Sequence, residues 1–219
     1  MKKLQKLNKN LQAELDSWIC KDEETRKRKS EREFARYPKM IKEMGLDLID
    51  TSNKSILEIG CGPIGLISLL DGSIKIGLDP LADKYNKYYP NLLDDINMRI
   101  GYGEDIPLAD DWMDLIVIPN SLDHCIEPEF VIKECKRVLR PSGWLAVHSC
   151  INLASCHPHE SHINNISYDL FRKFVDSDFE TYHELTFEKN GLRYGWKKFE
   201  GKCGIPAFAW LGRLCTKGA

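Results

Sequence analysis

The chain has 219 residues, 42% of them apolar, with 31 Lys and Arg against 33 Asp and Glu. That length supports one hydrophobic core with an appendage, and the near balance of charge gives no global positive field to gather nucleic acid or anionic membrane. The basic N-terminal stretch lacks a signal peptide's apolar segment, no apolar run approaches the ~20 residues of a membrane span, and the eight cysteines contain no CxxC pair, so a cytoplasmic protein with reduced thiols is expected.

Leu4, Leu7, Leu11, Leu15 and Trp18 recur at helical steps, as do Phe34, Tyr37, Ile41 and Met44, which predicts two N-terminal helices. Between them, KDEETRKRKSERE reads as solvated helical surface, and acids flank its RKRK on both sides, which disfavours phosphate binding. Residues 1–50 are therefore read as a helical cap and 51–219 as the main domain. From residue 54 the short apolar runs SILEIG, IKIGLD, MRIGYG, DLIVIPN and GWLAVHS alternate with helix-length segments, the pattern of a parallel sheet of βα units. Residues 129–139 form a helix ended by Arg140-Pro141-Ser142-Gly143, and a strand begins at Trp144. Ser167 caps a helix over 167–176, after which FETYHELTFEK and IPAFAWLGRLC are the last two strands, joined by the polar connection NGLRYGWKKFEGKCG. The fold class is α/β, with a mostly parallel seven-stranded sheet, helices on both faces and an N-terminal helical extension.

The stretch ILEIGCGPIG sets Gly60, Gly62 and Gly65 in GxGxxG spacing between a strand and an expected helix, where backbone amides attract carboxylate or phosphate. Asp79, at the end of the next strand, can accept both ribose hydroxyls of any adenosine cofactor. Glu58 discriminates among such cofactors: an acid there repels a pyrophosphate and suits the ammonium of a methionine moiety, which S-adenosylmethionine (SAM) carries. The structural alternatives are that Glu58 caps the following helix and that Asp79 opens a turn with Pro80.

Together with GEDIPLADDWMDLIVIPNSLDHC and RVLRPSGWLAV, these residues resemble a class I SAM-dependent methyltransferase over about residues 54–149. The resemblance implies a Rossmann-like fold that takes SAM and releases S-adenosylhomocysteine (SAH). It places the backbone of Gly60, Cys61 and Gly62 against the methionine and ribose, Asp79 on the ribose hydroxyls, and Gly103, Glu104 and Asp105 along the adenine pocket, with Asn120 at the carboxyl edge of the sheet. Tyr102 stands where the family often has an acid, and Ser142 where it has the second glycine of a Pro-Gly-Gly turn.

Methyl transfer to a hydroxyl benefits from a general base, and His124 in NSLDHC is the candidate, its other role being a hydrogen bond that fixes the loop. His157 and His159 are weaker candidates within HPHESH. The proline-fixed link and the lack of an acidic triad nearby leave no metal expected in that cluster, which reads instead as a substrate-facing loop. The pairing of NSLDHC with HPH also resembles a methyltransferase subgroup of bacterial polysaccharide and sugar biosynthesis, which suggests a small hydroxyl acceptor. The N-terminal helices and DKYNKYYP at 83–90 are read as lids and acceptor walls. Competing readings are an NAD-dependent oxidoreductase using the same turn and a methyltransferase fold that binds a partner without turnover. The charge balance disfavours an RNA or protein acceptor, and neither nucleic acid nor membrane is expected as a partner.

Overall fold

In the computed structural model, which describes residues 2–19, 22–89, 94–151, 162–187 and 207–216, the apolar runs form strands β1 (Lys54–Ile59), β2 (Gly72–Leu78), β3 (Asn97–Arg99), β4 (Met113–Pro119), β5 (Leu139–Cys150), β6 (Phe179–Phe187) and β7 (Ala207–Leu214). They make one seven-stranded sheet in the order β3-β2-β1-β4-β5-β7-β6. The pairings from β3 through β5 are parallel, whereas β7 runs antiparallel between β5 and β6, so the sheet is mixed. Helices are α1 (Lys2–Trp18), α2 (Glu23–Phe34), α3 (Tyr37–Glu43), α4 (Ala82–Tyr88), α5 (Pro128–Val138) and α6 (Tyr168–Val175).

The central strands read as continuous apolar runs because both faces are covered. In β4, Ile116 and Ile118 join a cluster with Val131 and Ile132 of α5, Phe171 of α6 and Trp210 of β7. Their neighbours Leu115 and Val117 join another, with Met40 of α3 and with Leu66 and Ile67. Because Met40 shares that cluster with Ile56 of β1, α3 packs as part of the sheet's own core layer.

Three local features differ from expectation. The charged stretch is a helix of its own, α2, started by Asp22, whose carboxylate accepts the Thr25 amide at 2.7 Å; a new helix, α3, then begins with Pro38 in its first turn. No α-helix follows the glycines: the chain makes a single 3-10 turn, Leu66–Leu69, before β2 begins at Gly72. Finally, β5 begins at Leu139 rather than Trp144 and passes through Ser142 at φ 65°. That left-handed conformation explains why a glycine suits the position, and the serine holds it at some strain. The polar connection over 190–204 lies outside the described residues.

Candidate functional site

The carboxyl ends of β1, β2, β4 and β5 converge on a cavity of about 750 Å³, lined there by Gly60, Asp79, Asn120 and Cys150 and roofed by Glu14 and Trp18 of α1 and Tyr37 of α3. Successive crossovers leave β1 toward β2 and β4 toward β5, in opposite directions, so the cavity sits at the switch point where open α/β sheets bind ligands. Its volume suits a drug-sized or cofactor-sized molecule.

Gly60 and Gly62 have φ 71° and 58°, so the turn after β1 uses the conformations glycine permits. A Cβ on Gly60 would lie 2.4 Å from Ser121 Cβ, whereas the nearest atom to a Cβ on Gly62 would be Trp18 Cζ2 at 3.9 Å. Gly60 is thus hemmed in by protein, while Gly62 is open toward the cavity.

Two carboxylates underlie this turn. Asp79 is buried and accepts the amides of Gly62 at 2.9 Å and Leu81 at 2.8 Å. Glu58, also buried, accepts those of Leu66 at 3.1 Å and Ile67 at 2.7 Å, the capping role that the sequence left as an alternative. Burial pushes Glu58 up to about 8 and Asp79 up to about 6, against the opposite pull of these amides. Gly60 and Cys61 donate to the Leu78 carbonyl and Gly65 to that of Cys61. The amides of Gly60, Cys61, Gly62, Gly65, Leu66 and Ile67 are therefore all engaged within the protein. A pyrophosphate would meet occupied donors and two buried acids, so the arrangement disfavours NAD.

Asn120, just past β4, holds φ 57°, and its buried Oδ1 accepts no hydrogen bond from any described residue. A buried acceptor left in this state on a cavity wall fits a ligand that brings an N–H or O–H donor. The Asp79 carboxylate, the open backbone at Gly62 and the Asn120 acceptor together suit an adenosyl group carrying a cation.

The other expected residues separate. Cys61, Gly103 and Glu104 line the cavity, but Glu104 Oε1 also accepts the amides of Ile126 at 2.7 Å and Glu127 at 3.2 Å, which ties the start of α5 in place. Asp105 is exposed and is not among the lining residues. Tyr102 lines the cavity in the position that the resemblance assigns to an acid, so an exposed phenol ring rather than a carboxylate borders that region. His157 and His159 lie outside the described residues.

His124 closes a 3-10 turn, Leu122–His124, on the cavity wall. Its Nδ1 is 3.5 Å from Glu14 Oε2 and its Nε2 is 3.8 Å from Asp123 Oδ1. The fully buried Asp123 accepts through Oδ2 a 2.7 Å hydrogen bond from His162 Nδ1, and the two imidazoles meet edge to face at 4.6 Å. The amides of Ile163 and Asn164 donate to the Asp123 carbonyl, pinning the segment that carries His162. Asp123 and Glu14 escaped the sequence reading. The visible signal for Asp123 was only its position beside His124.

Residues 57–147 match the family described as "Methyltransferase domain". A protein of Mycobacterium ulcerans named "Probable phthiotriol/phenolphthiotriol dimycocerosates methyltransferase 2" is 32% identical over 116 residues, 48% of this chain and 44% of that protein. A malonyl-[acyl-carrier protein] O-methyltransferase of Methylococcus capsulatus is 28% identical over 53% of this chain and 30% of its own length, so the chain spans less than half the length of these curated relatives. In three dimensions the chain is similar to the N-methyltransferase NodS from Bradyrhizobium japonicum, solved in complex with SAH, with a TM-score of 0.66, 14% identity and coverage of 92% of this chain and 96% of that one. The architecture is that of the class I SAM-dependent methyltransferases.

Proposed function

We infer that this chain, whose residues 57–147 carry the methyltransferase domain, is a SAM-dependent methyltransferase acting on a small molecule. The observation that carries the reading is the glycine turn, whose amides are engaged internally above two buried carboxylates while Gly62 lies open. Such a floor suits an adenosyl cation far better than a pyrophosphate.

Asp79 would hold the ribose hydroxyls, the backbone at Gly62 would give close approach, and Asn120 Oδ1 would accept an N–H of the methionine ammonium. Glu58 would cap the 3-10 turn beneath the site and add negative potential only as pH rises through about 8, where it ionises. Gly103, Glu104 and Tyr102 would border the adenine. When bound, SAM supplies an electrophilic methyl group on a sulfonium. The protein's part is to hold an acceptor in line with that methyl in a cavity that α1 and α3 help to line, an arrangement that by itself accounts for much of a displacement's acceleration.

His124 lines the cavity wall, and we place the acceptor beside it, a hydroxyl compound such as a sugar or related metabolite being the preferred class. Kinship does not decide the accepting atom, because the relatives' names include both an O- and an N-methyltransferase.

Calorimetric titration with SAM, SAH and NAD in separate experiments tests the cofactor reading before any acceptor is known. Saturable binding of SAM and SAH with no heat from NAD is expected. Binding of NAD alone would overturn it.

A further inference from the structure

We propose that Asp123, His124 and His162 bind a divalent first-row transition-metal ion on the cavity wall. One donor atom from each lies within 4.8 Å of the others, and His124 and His162 both border the cavity. Ligands sharing one ion at about 2.0–2.2 Å stand at most about 4.3 Å apart, so a small side-chain rotation closes the set.

The carboxylate supplies the independent sign of a ligand. Asp123 is 0% exposed, and its Oδ1 accepts no hydrogen bond from any described residue although it lies 3.8 Å from His124 Nε2. A buried carboxylate oxygen left in that state is costly, and a cation between Oδ1 and Nε2 compensates it. On the other oxygen, His162 Nδ1 donates a proton at 2.7 Å, and an ion displaces such a proton on binding.

The surroundings are those of a prepared site. Glu14 Oε2 stands 3.5 Å from His124 Nδ1, the carboxylate-to-imidazole arrangement that turns the opposite nitrogen, here Nε2, toward a metal. The Asp123 carbonyl accepts the amides of Ile163 and Asn164, and Asn164 Nδ2 donates to the Cys125 carbonyl, so the His162 segment is bound to the His124 turn. Two imidazoles and a carboxylate favour zinc, iron or cobalt over calcium or magnesium. Three protein ligands leave positions for an oxygen of the acceptor, whose hydroxyl proton is released to solvent as it coordinates. That acceptor role rests on the methyl-transfer reading, whereas the metal site does not.

The test titrates Zn²⁺ and Co²⁺ separately into the full chain near neutral pH, by calorimetry and, for cobalt, by visible absorption. A Cys215→Ser background removes, among the described residues, the one exposed thiol as a competing ligand. One ion per chain is expected, with affinity lowered at least 10–100-fold, roughly the effect of losing even a supporting group, in Asp123→Asn, His124→Gln and His162→Gln. No saturable uptake by the parent, or equal uptake by all three variants, overturns the proposal. If Asp123→Asn does not fold, the two histidine variants decide alone. SAH titration of the same samples separates the two readings: metal uptake without SAH binding overturns the methyl-transfer reading and leaves the metal site standing.

Discussion

The Asp79 carboxylate accepts the Gly62 amide at 2.9 Å, so the acid proposed to read a ribose also sets the shape of the turn proposed as the cofactor floor. Its second oxygen accepts the Leu81 amide at 2.8 Å. Asp79→Ala therefore strands two buried donors, and a loss of about 1–3 kcal/mol of stability per donor is expected from chemical denaturation. Calorimetry of the protein that remains folded should show SAH binding weakened by a further ~1.5–3 kcal/mol, the scale of a charged hydrogen bond. Unchanged SAH affinity in a folded Asp79→Ala protein would remove Asp79 from the cofactor site.

Gly60 and Gly62 share a motif and should fail in opposite ways. A Cβ at Gly60 collides with Ser121, whose Oγ anchors the loop after β4 to the Ile59 carbonyl at 2.7 Å. Gly60→Ala should thus be recovered mainly unfolded or with a sharply lowered melting temperature. At Gly62 a Cβ meets only Trp18 Cζ2, at an ordinary contact distance of 3.9 Å, so Gly62→Ala carries only the left-handed backbone penalty of about 1–2 kcal/mol yet intrudes where the ligand is proposed to approach. A folded Gly62→Ala protein with greatly weakened SAH binding is the expected result, and parental affinity would show that the open face of the turn is not the cofactor floor.

The contrast between these two glycines marks how far the sequence could be read. Both positions, Asp79 and the strands around them were legible, because β1 and β4 are apolar runs buried on two faces, β2 is buried over its last three residues, and each ends at the sheet's carboxyl edge. Which glycine faces protein and which faces the cavity depends on Ser121 and Trp18, distant residues that no local pattern connects to the turn. The missing helix has a similar cause. LISLL is equally apolar in an α-helix or a 3-10 turn, and what limits it is the start of β2 at Gly72, where Ile56 packs too closely for a side chain. For α2 the apolar pattern gave no face to read, and the Asp22 cap decides its start. Asp123 was legible as an acid beside His124 but not as a partner of His162, because that pairing forms across 39 residues.

Glu58 and Asp79 give the site a pH dependence of definite sign. Burial raises them to about 8 and about 6, so the folded state holds protons that the unfolded chain has released. Their contribution to stability is fully present below the ordinary carboxylate range of about 4 and is lost as pH rises through 6 and then 8. Thermal melts from pH 5 to 9 should show a decline that Glu58→Gln flattens in its upper half. SAH binding should run the other way and strengthen over the same interval, because an ionised Asp79 would accept more strongly from the ribose diol and an ionised Glu58 would add negative potential beneath the ammonium. A stability profile of Glu58→Gln parallel to the parent's would mean that Glu58 is ionised throughout.

Trp18 is the residue through which the cap reports on the cavity. Its indole donates to Glu14 Oε1 at 2.9 Å, carries Lys29 Nζ over its face at 3.9 Å, and meets Tyr89 edge-on at 6.2 Å, while Tyr89 Oη donates to the Trp18 carbonyl at 2.5 Å. These contacts tie α1 to α2 and to the end of α4, above the open face of Gly62. SAH entering beneath the indole should change the emission of Trp18, and Trp18→Phe should abolish most of the fluorescence response to ligand. Tyr89→Phe removes one tether and keeps the ring packing, so it should speed SAH release several-fold, about the effect of one lost hydrogen bond of ~1 kcal/mol, with little change in association. Stopped-flow displacement of SAH measures both rates. Equal release from parent and Tyr89→Phe, with the fluorescence response intact in Trp18→Phe, would leave the cap as a fixed wall rather than a cover that opens.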